Sequence, residues 1–98
     1  NGMANATGRL QINSDSEGQV RSMAVHENFR GLGLGSKVLR YIENKAKEKN
    51  LSKIILDARE PAVHFYEKHG YKVIAESYML FGVIPHLKMT KNLFGGTI

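Results

Sequence analysis

The sequence predicts an α/β (α+β) domain, with a mixed, mostly antiparallel sheet, a central βαβ unit and two helices. Three observations carry that reading. A strand pattern ending at Val25 leads into the glycine-rich Arg30-Gly31-Leu32-Gly33-Leu34-Gly35, and a helical period follows it. Lys53-Ile54-Ile55-Leu56 is a short apolar run rich in β-branched residues, which suits a buried parallel strand. Strand, helix and strand then form a right-handed crossover, and alternating stretches on either side supply antiparallel neighbours.

The elements follow in order. Residues 1–8 are small and polar and read as a flexible end. Arg9-Leu10-Gln11-Ile12-Asn13 alternates as a strand, Ser14 to Gly18 is a turn cluster, and Gln19 to Val25 completes a hairpin. From Leu34 the apolar residues fall at 34, 38, 39, 42 and 46, one face of a helix. Lys37, Arg40, Glu43, Asn44, Lys47 and Glu48 fall elsewhere, and Glu43 with Lys47 is a favourable i,i+4 pair. Asn50-Leu51-Ser52 ends that helix. A shorter helix starts at Pro61, whose fixed φ and missing N–H suit the first helical position, and stops at Gly70, a left-handed C-terminal cap. Its apolar side includes Ala62, Phe65 and Tyr66. Tyr71 to Ala75 and Tyr78 to Met89 read as closing strands, with Pro85 at a bend or edge, and 90–98 as a second flexible end.

Composition narrows the function. With 98 residues, 42% of them hydrophobic and 23% charged, the chain suits a single domain with one core. No apolar run approaches the roughly 20 residues of a membrane span, and the N-terminus has no signal-peptide pattern. The absence of cysteine excludes disulfides, thiolate metal sites and a cysteine nucleophile, and a reducing cytoplasm is the expected location. A net charge of +5 suits a polyanionic partner, either nucleic acid or a phosphorylated cofactor. Lys45, Lys47, Lys49 and Lys53 cluster where a helix dipole favours cations, and no aromatic platform interleaves them, which disfavours nucleic acid. His64 and His69 are five apart and not on one helix face, so a metal site is not expected.

The glycine stretch points to phosphate. Three glycines at alternate positions let a ligand approach the backbone, and a helix N-terminus adds free N–H groups and the positive end of its dipole. It is no P-loop, because Gly35 is followed by Ser36-Lys37 in the wrong order, and its spacing is not the Gly-x-Gly-x-x-Gly of dinucleotide folds.

Two motifs in order extend that reading: Arg-x-x-Gly-x-Gly (Arg30, Gly33, Gly35) after Met23-Ala24-Val25, and Ala62-Val63-His64-Phe65-Tyr66-Glu67-Lys68-His69-Gly70-Tyr71 one strand later. On these residues the chain, from about residue 9 to 89, closely resembles the GNAT superfamily of acetyl-CoA-dependent N-acetyltransferases. Ala58 to Val63 and Ile84 to Met89 look most like its ElaA-like subgroup. The resemblance implies that N–H groups of Arg30, Gly31, Leu32, Gly33, Leu34, Gly35 and Ser36 hold the pyrophosphate of acetyl-CoA. It implies that backbone groups of Met23, Ala24 and Val25 pair with the pantetheine arm where this strand splays from the one at Lys53–Ala58, with an N–H, expected at Val25, near the thioester carbonyl. Tyr66 becomes the acid that meets the departing thiolate, with Phe65 packed inward. The acceptor is a primary amine on a small molecule, peptide or protein. The base stays open. Some relatives carry a glutamate where this chain has Gln19, and Glu17 is near but lies in the turn; a water chain, a residue from elsewhere, Glu76 or His86 remain, and Arg59 replaces a frequent asparagine. A complete domain of this family begins with a strand, two helices and another strand before the point matched by residue 1. A fragment, a compact variant, or a homodimer that covers the strand edge at 9–13 would each account for that.

Overall fold

Among the described residues, five strands form one sheet. The computed structural model describes residues 6–25, 33–80 and 84–94. In chain order the elements are β1 (Ala6–Ile12), β2 (Glu17–Val25), α1 (Leu34–Glu48), β3 (Lys53–Arg59), a 3₁₀ turn (Glu60–Ala62), α2 (Val63–Lys68), β4 (Lys72–Leu80) and β5 (Ile84–Asn92). β1 and β2 are an antiparallel hairpin, β2 and β3 a parallel pair joined through α1, and β5 lies antiparallel between β3 and β4. This is the expected mixed sheet with a central βαβ unit and two helices.

Strand alternation decides which face is core. On β3, Ile54, Leu56 and Ala58 are buried, and they join Leu39, Ile42 and Ala46 of α1 and Tyr66 of α2 in one cluster with Met89 of β5. Lys53, Ile55, Asp57 and Arg59 alternate with them and face the other side. Both helices therefore cover the same face, and the Ser36 hydroxyl and His69 Nε2, 2.9 Å apart, tie the start of α1 to the end of α2. Complete burial of a side chain such as Leu39 or Ile54 contributes about 1.5–3 kcal/mol, so this cluster holds the layers together.

Both helices end as the residues dictate. Asn50 sits at φ 62°, and the Leu51 N–H donates to the Ala46 carbonyl at 3.0 Å. Gly70 at φ 91° does the same for α2, with the Tyr71 N–H donating to the Tyr66 carbonyl at 3.1 Å.

Four expectations are corrected. Glu43 does not sit on the solvent face with Lys47. It is buried, accepting a hydrogen bond from the Tyr71 hydroxyl at 2.9 Å and pairing with Lys91 Nζ at 3.2 Å. A carboxylate can occupy that position because two partners on distant elements satisfy it. The closing strands meet later than expected: β4 runs through Glu76, which pairs with Leu87, to Leu80, with a register irregularity between Glu76 and Met79. Pro85 lies in an interior strand, at its second residue and opposite Met79 beside that irregularity, where no regular ladder bond is lost. The ordered chain also reaches into both stretches read as flexible ends. β1 starts at Ala6, and β5 runs to Asn92 with Leu93 buried behind it, its N–H donating to the Ser52 carbonyl at 2.8 Å.

Candidate functional site

The site starts where two parallel strands stop pairing. β2 and β3 are in register only from Glu17–Gln19 against Lys53–Ile55, although β2 continues to Val25 and β3 to Arg59. Beyond that point the strands diverge. On its other side β2 carries a bulge: Thr7 stands opposite Ala24 and Arg9 opposite Arg21, so β2 has one extra residue, at Ser22–Met23. A bulge bends and re-aims a strand, and here Met23 turns toward the helix face. A Cβ on Gly8 would lie 3.0 Å from Met23 Sδ and 2.9 Å from Val38, so glycine at position 8 is what lets α1 sit this close.

A cavity of about 240 Å³ occupies the gap between the strands, lined by Val20 and Met23 of β2, Leu56, Asp57, Ala58 and Arg59 of β3, Ala62, Tyr66 and His86. Tyr66 belongs to the helix-side core, whereas Asp57 and Arg59 alternate to the other face and His86 stands directly across from Arg59 in register. The cavity thus connects the two faces of the sheet. Tyr66 is buried, and Phe65, half-buried, packs against the same core as expected from sequence. The Tyr66 ring meets those of Phe65 and Tyr71 edge-on, with centroids 5.1 and 5.8 Å away. Burial raises its hydroxyl above the ordinary tyrosine value, so the O–H keeps its proton through the neutral range.

The N-terminus of α1 is held against the end of α2, the helix of Tyr66, by the contact between Ser36 and His69. Gly33 precedes it at φ 77°, a left-handed conformation, and a Cβ there would meet nothing within 4 Å. Among the described residues no side chain caps the helix, and its first turn holds no acidic residue. The first-turn N–H groups and the dipole's positive end are therefore open to an anion. Leu34 and Ser36 are half-buried there and Gly35 is buried. These residues fit a pyrophosphate, and the separated strands fit an extended chain. Arg30, Gly31 and Leu32 lie outside the described residues. Ala24 stands opposite Thr7 and Val25 opposite Ala6, on the strand segment that has left β3.

The family model for the Acetyltransferase (GNAT) family matches residues 2–71. The chain belongs to the GNAT family. Among GNAT relatives, the uncharacterized N-acetyltransferase YjcF of Bacillus subtilis is 37% identical over 80% of this chain and 56% of its own length. A crystal structure of a Lactobacillus plantarum protein assigned to the N-acetyltransferases superposes with a TM-score of 0.82 at 27% identity, covering 91% of this chain and 60% of that one. A GNAT acetyltransferase from Elizabethkingia anophelis with acetyl-CoA bound shares the fold, with a TM-score of 0.81 at 18% identity over 94% of this chain and 71% of that one. The chain spans a little over half the length of the curated relative it matches.

Met23 and Tyr66, both singled out in the sequence, line the gap. Of the bases left open, His86 lines it, whereas Glu76 is exposed and Glu17 is engaged by Lys53 at 3.5 Å. Two residues were missed. His69 is the partner of Ser36, a link that only the tertiary fold creates. Asp57 lines the cavity, and its Oδ1 is buried without a hydrogen-bond partner among the described residues. The signal for Asp57 was present: it is the one charged residue inside the apolar run 54–58 of a central strand.

Proposed function

We propose that this chain is the acetyl-CoA-binding portion of an N-acetyltransferase, which moves an acetyl group to a primary amine by direct attack. The observation that carries this reading is the cavity through the gap between β2 and β3, with Tyr66 at one face and an uncapped helix N-terminus beside it. Main-chain N–H groups of Arg30 to Ser36 hold the pyrophosphate of the co-substrate. The backbone of Met23, Ala24 and Val25 takes its extended arm as a strand would, and a β2 N–H, that of Val25, donates to the thioester oxygen as negative charge develops there. The neutral amine attacks the thioester carbon, the carbon–sulfur bond breaks, and the Tyr66 O–H donates its proton to the departing thiolate. His86 is our choice for the proton released by the amine, because it is the candidate base that lines the cavity.

The acceptor is a small-molecule or peptide amine, and residues 1–98 act as one domain. The ElaA-like subgroup is our finer assignment, on Ala58 to Val63 and Ile84 to Met89. β1 is an edge strand, and pairing along it in a homodimer is how we would have that edge covered. No helix among the described residues is long and apolar enough to cross a membrane, and a cytoplasmic setting suits an acetyl-CoA-dependent reaction.

The test is thiol release from acetyl-CoA in the presence of an amine. Tyr66→Phe should slow turnover roughly a hundredfold or more, the usual weight of a general acid, with acetyl-CoA affinity changed less than about twofold. Normal turnover in that variant rules out Tyr66 as the acid. Tight binding without any turnover in the wild type favours a non-catalytic coenzyme A-binding module instead.

A further inference from the structure

We infer that His69 is a positioning residue for the co-substrate: its Nε2–H donates to Ser36 Oγ, which turns the one Ser36 hydroxyl proton onto the pyrophosphate of acetyl-CoA. This rests on the acetyl-CoA reading. It adds a residue from outside the glycine-rich stretch and the proton arrangement that the bound state requires.

Ser36 is the third residue of α1, in the turn whose N–H groups are open to an anion. Among the described residues its Oγ has one hydrogen-bond partner, His69 Nε2 at 2.9 Å, in a half-buried contact. The imidazole is itself fixed. His69 ends α2, where its N–H donates to the Tyr66 carbonyl at 2.9 Å, and its ring meets the Phe65 ring edge-on with centroids 4.9 Å apart. A half-buried ring held at both points keeps Nε2 aimed at the start of α1. Among the described residues no carboxylate is hydrogen-bonded to Ser36 or His69. Glu43, two turns further along α1 on the same side, is taken up by Tyr71 and Lys91, and Glu67 lies beside His64 at 3.9 Å.

The direction of the contact follows from counting protons. A hydroxyl has one proton to give and can also accept, whereas the oxygens of a pyrophosphate only accept. If Ser36 gave its proton to His69, it would turn a lone pair toward the anion. If Nε2 carries the proton, Ser36 accepts from His69 and keeps its own O–H for the phosphate. Only the second arrangement stabilises an anion at the first turn of α1, so binding selects the Nε2–H form of the ring. The same contact fixes the phosphate cradle against the helix that carries Tyr66.

The experiment uses the full 98-residue protein, labelled with nitrogen-15 at histidine, and acetyl-CoA as the probe. In the saturated wild type the His69 Nε2 resonance should stand in the protonated range. Calorimetry then compares variants. Ser36→Ala should weaken acetyl-CoA binding about tenfold, the weight of one hydrogen bond to a charged group, and His69→Leu about fivefold, the weight of a neutral one. The double variant should be no weaker than Ser36→Ala alone, because His69 acts only through Ser36. His69→Gln, whose amide nitrogen can take the place of the ring Nε2, should bind within about twofold of wild type. A bare Nε2 in the complex overturns the inference, whether or not any variant folds. So does a folded His69→Leu variant with wild-type affinity, a His69→Gln variant no better than His69→Leu, or a double variant in which the two losses multiply. These results leave acetyl-CoA binding standing, whereas a wild type that does not bind acetyl-CoA removes the cofactor reading and this inference with it.

Discussion

Placing aspartate and, separately, asparagine at Gly33 isolates what one negative charge does at the mouth of α1. Gly33 sits at φ 77°, and the space where a Cβ would stand is open to 4 Å. Asn and Asp are the residues other than glycine that best tolerate the left-handed region, so both variants should fold at a similar cost of about 1 kcal/mol. The difference between them is the charge. A carboxylate at about 4 Å from a phosphate charge is repelled by about 1 kcal/mol in bulk water and about 4 kcal/mol at the effective dielectric of a protein surface. Salt does little at that range, because the screening length at physiological ionic strength is about 8 Å. Gly33→Asp should therefore bind acetyl-CoA more weakly than Gly33→Asn by about 1–4 kcal/mol, roughly fivefold to a thousandfold. Isothermal titration calorimetry measures this directly, with thermal unfolding run alongside to confirm equal folding. Equal affinities in two folded variants would refute the reasoning, because no phosphate could then lie against the start of α1.

Other consequences concern the fold. Glu43→Ala strands Lys91 and the Tyr71 hydroxyl, and should cost about 3 kcal/mol in urea unfolding, the low end for a broken buried pair because Lys91 can still reach water. Tyr71→Phe removes only the hydrogen bond to Glu43 and should cost about 1 kcal/mol. Leu39→Ala should cost about 3 kcal/mol, since Leu39 is among the fully buried side chains that join α1 to the sheet. Burial raises Tyr66, and burial with the Glu43 charge raises Tyr71 further. Raised values mean that the folded state keeps these protons after the unfolded chain has lost them, so their stabilisation is complete below about pH 10 and declines above it. Each should contribute a loss of up to about 1.4 kcal/mol per pH unit there, visible in alkaline urea melts and reduced in the double phenylalanine variant.

The local chemistry of the chain was legible. Asn50 and Gly70 end their helices as their residue types require, and the apolar period from Leu34 found the buried Leu39, Ile42 and Ala46. The β-branched run at Ile54 marked the strand at the centre of the sheet. What stayed hidden depends on residues far apart in sequence. Glu43 looks like a solvent-facing helix residue until Tyr71 and Lys91 are folded against it. The bulge at Ser22–Met23 exists only as a register between two strands, and nothing in Ser-Met itself encodes it. The boundary between β4 and β5 was misjudged because Glu76 and Ser77 interrupt the apolar pattern, whereas pairing of Glu76 with Leu87 continues the strand past Ala75. Within the site, Met23, Gly33 and Tyr66 came from motif and helix chemistry; Asp57 needed the cavity to give it meaning.

The central claim is that the main chain of β2 beside the gap, together with the start of α1, holds acetyl-CoA. An amide titration of nitrogen-15-labelled protein with acetyl-CoA tests it most directly. The result expected is saturable shifts at Met23, Ala24 and Val25 together with Gly35 and Ser36, and little change at Ile12 or Asn92 on the far ends of their strands. Shifts confined to the lysine-rich end of α1, from Lys45 to Lys49, and growing without saturation would contradict it, since that is how a basic surface meets any polyanion.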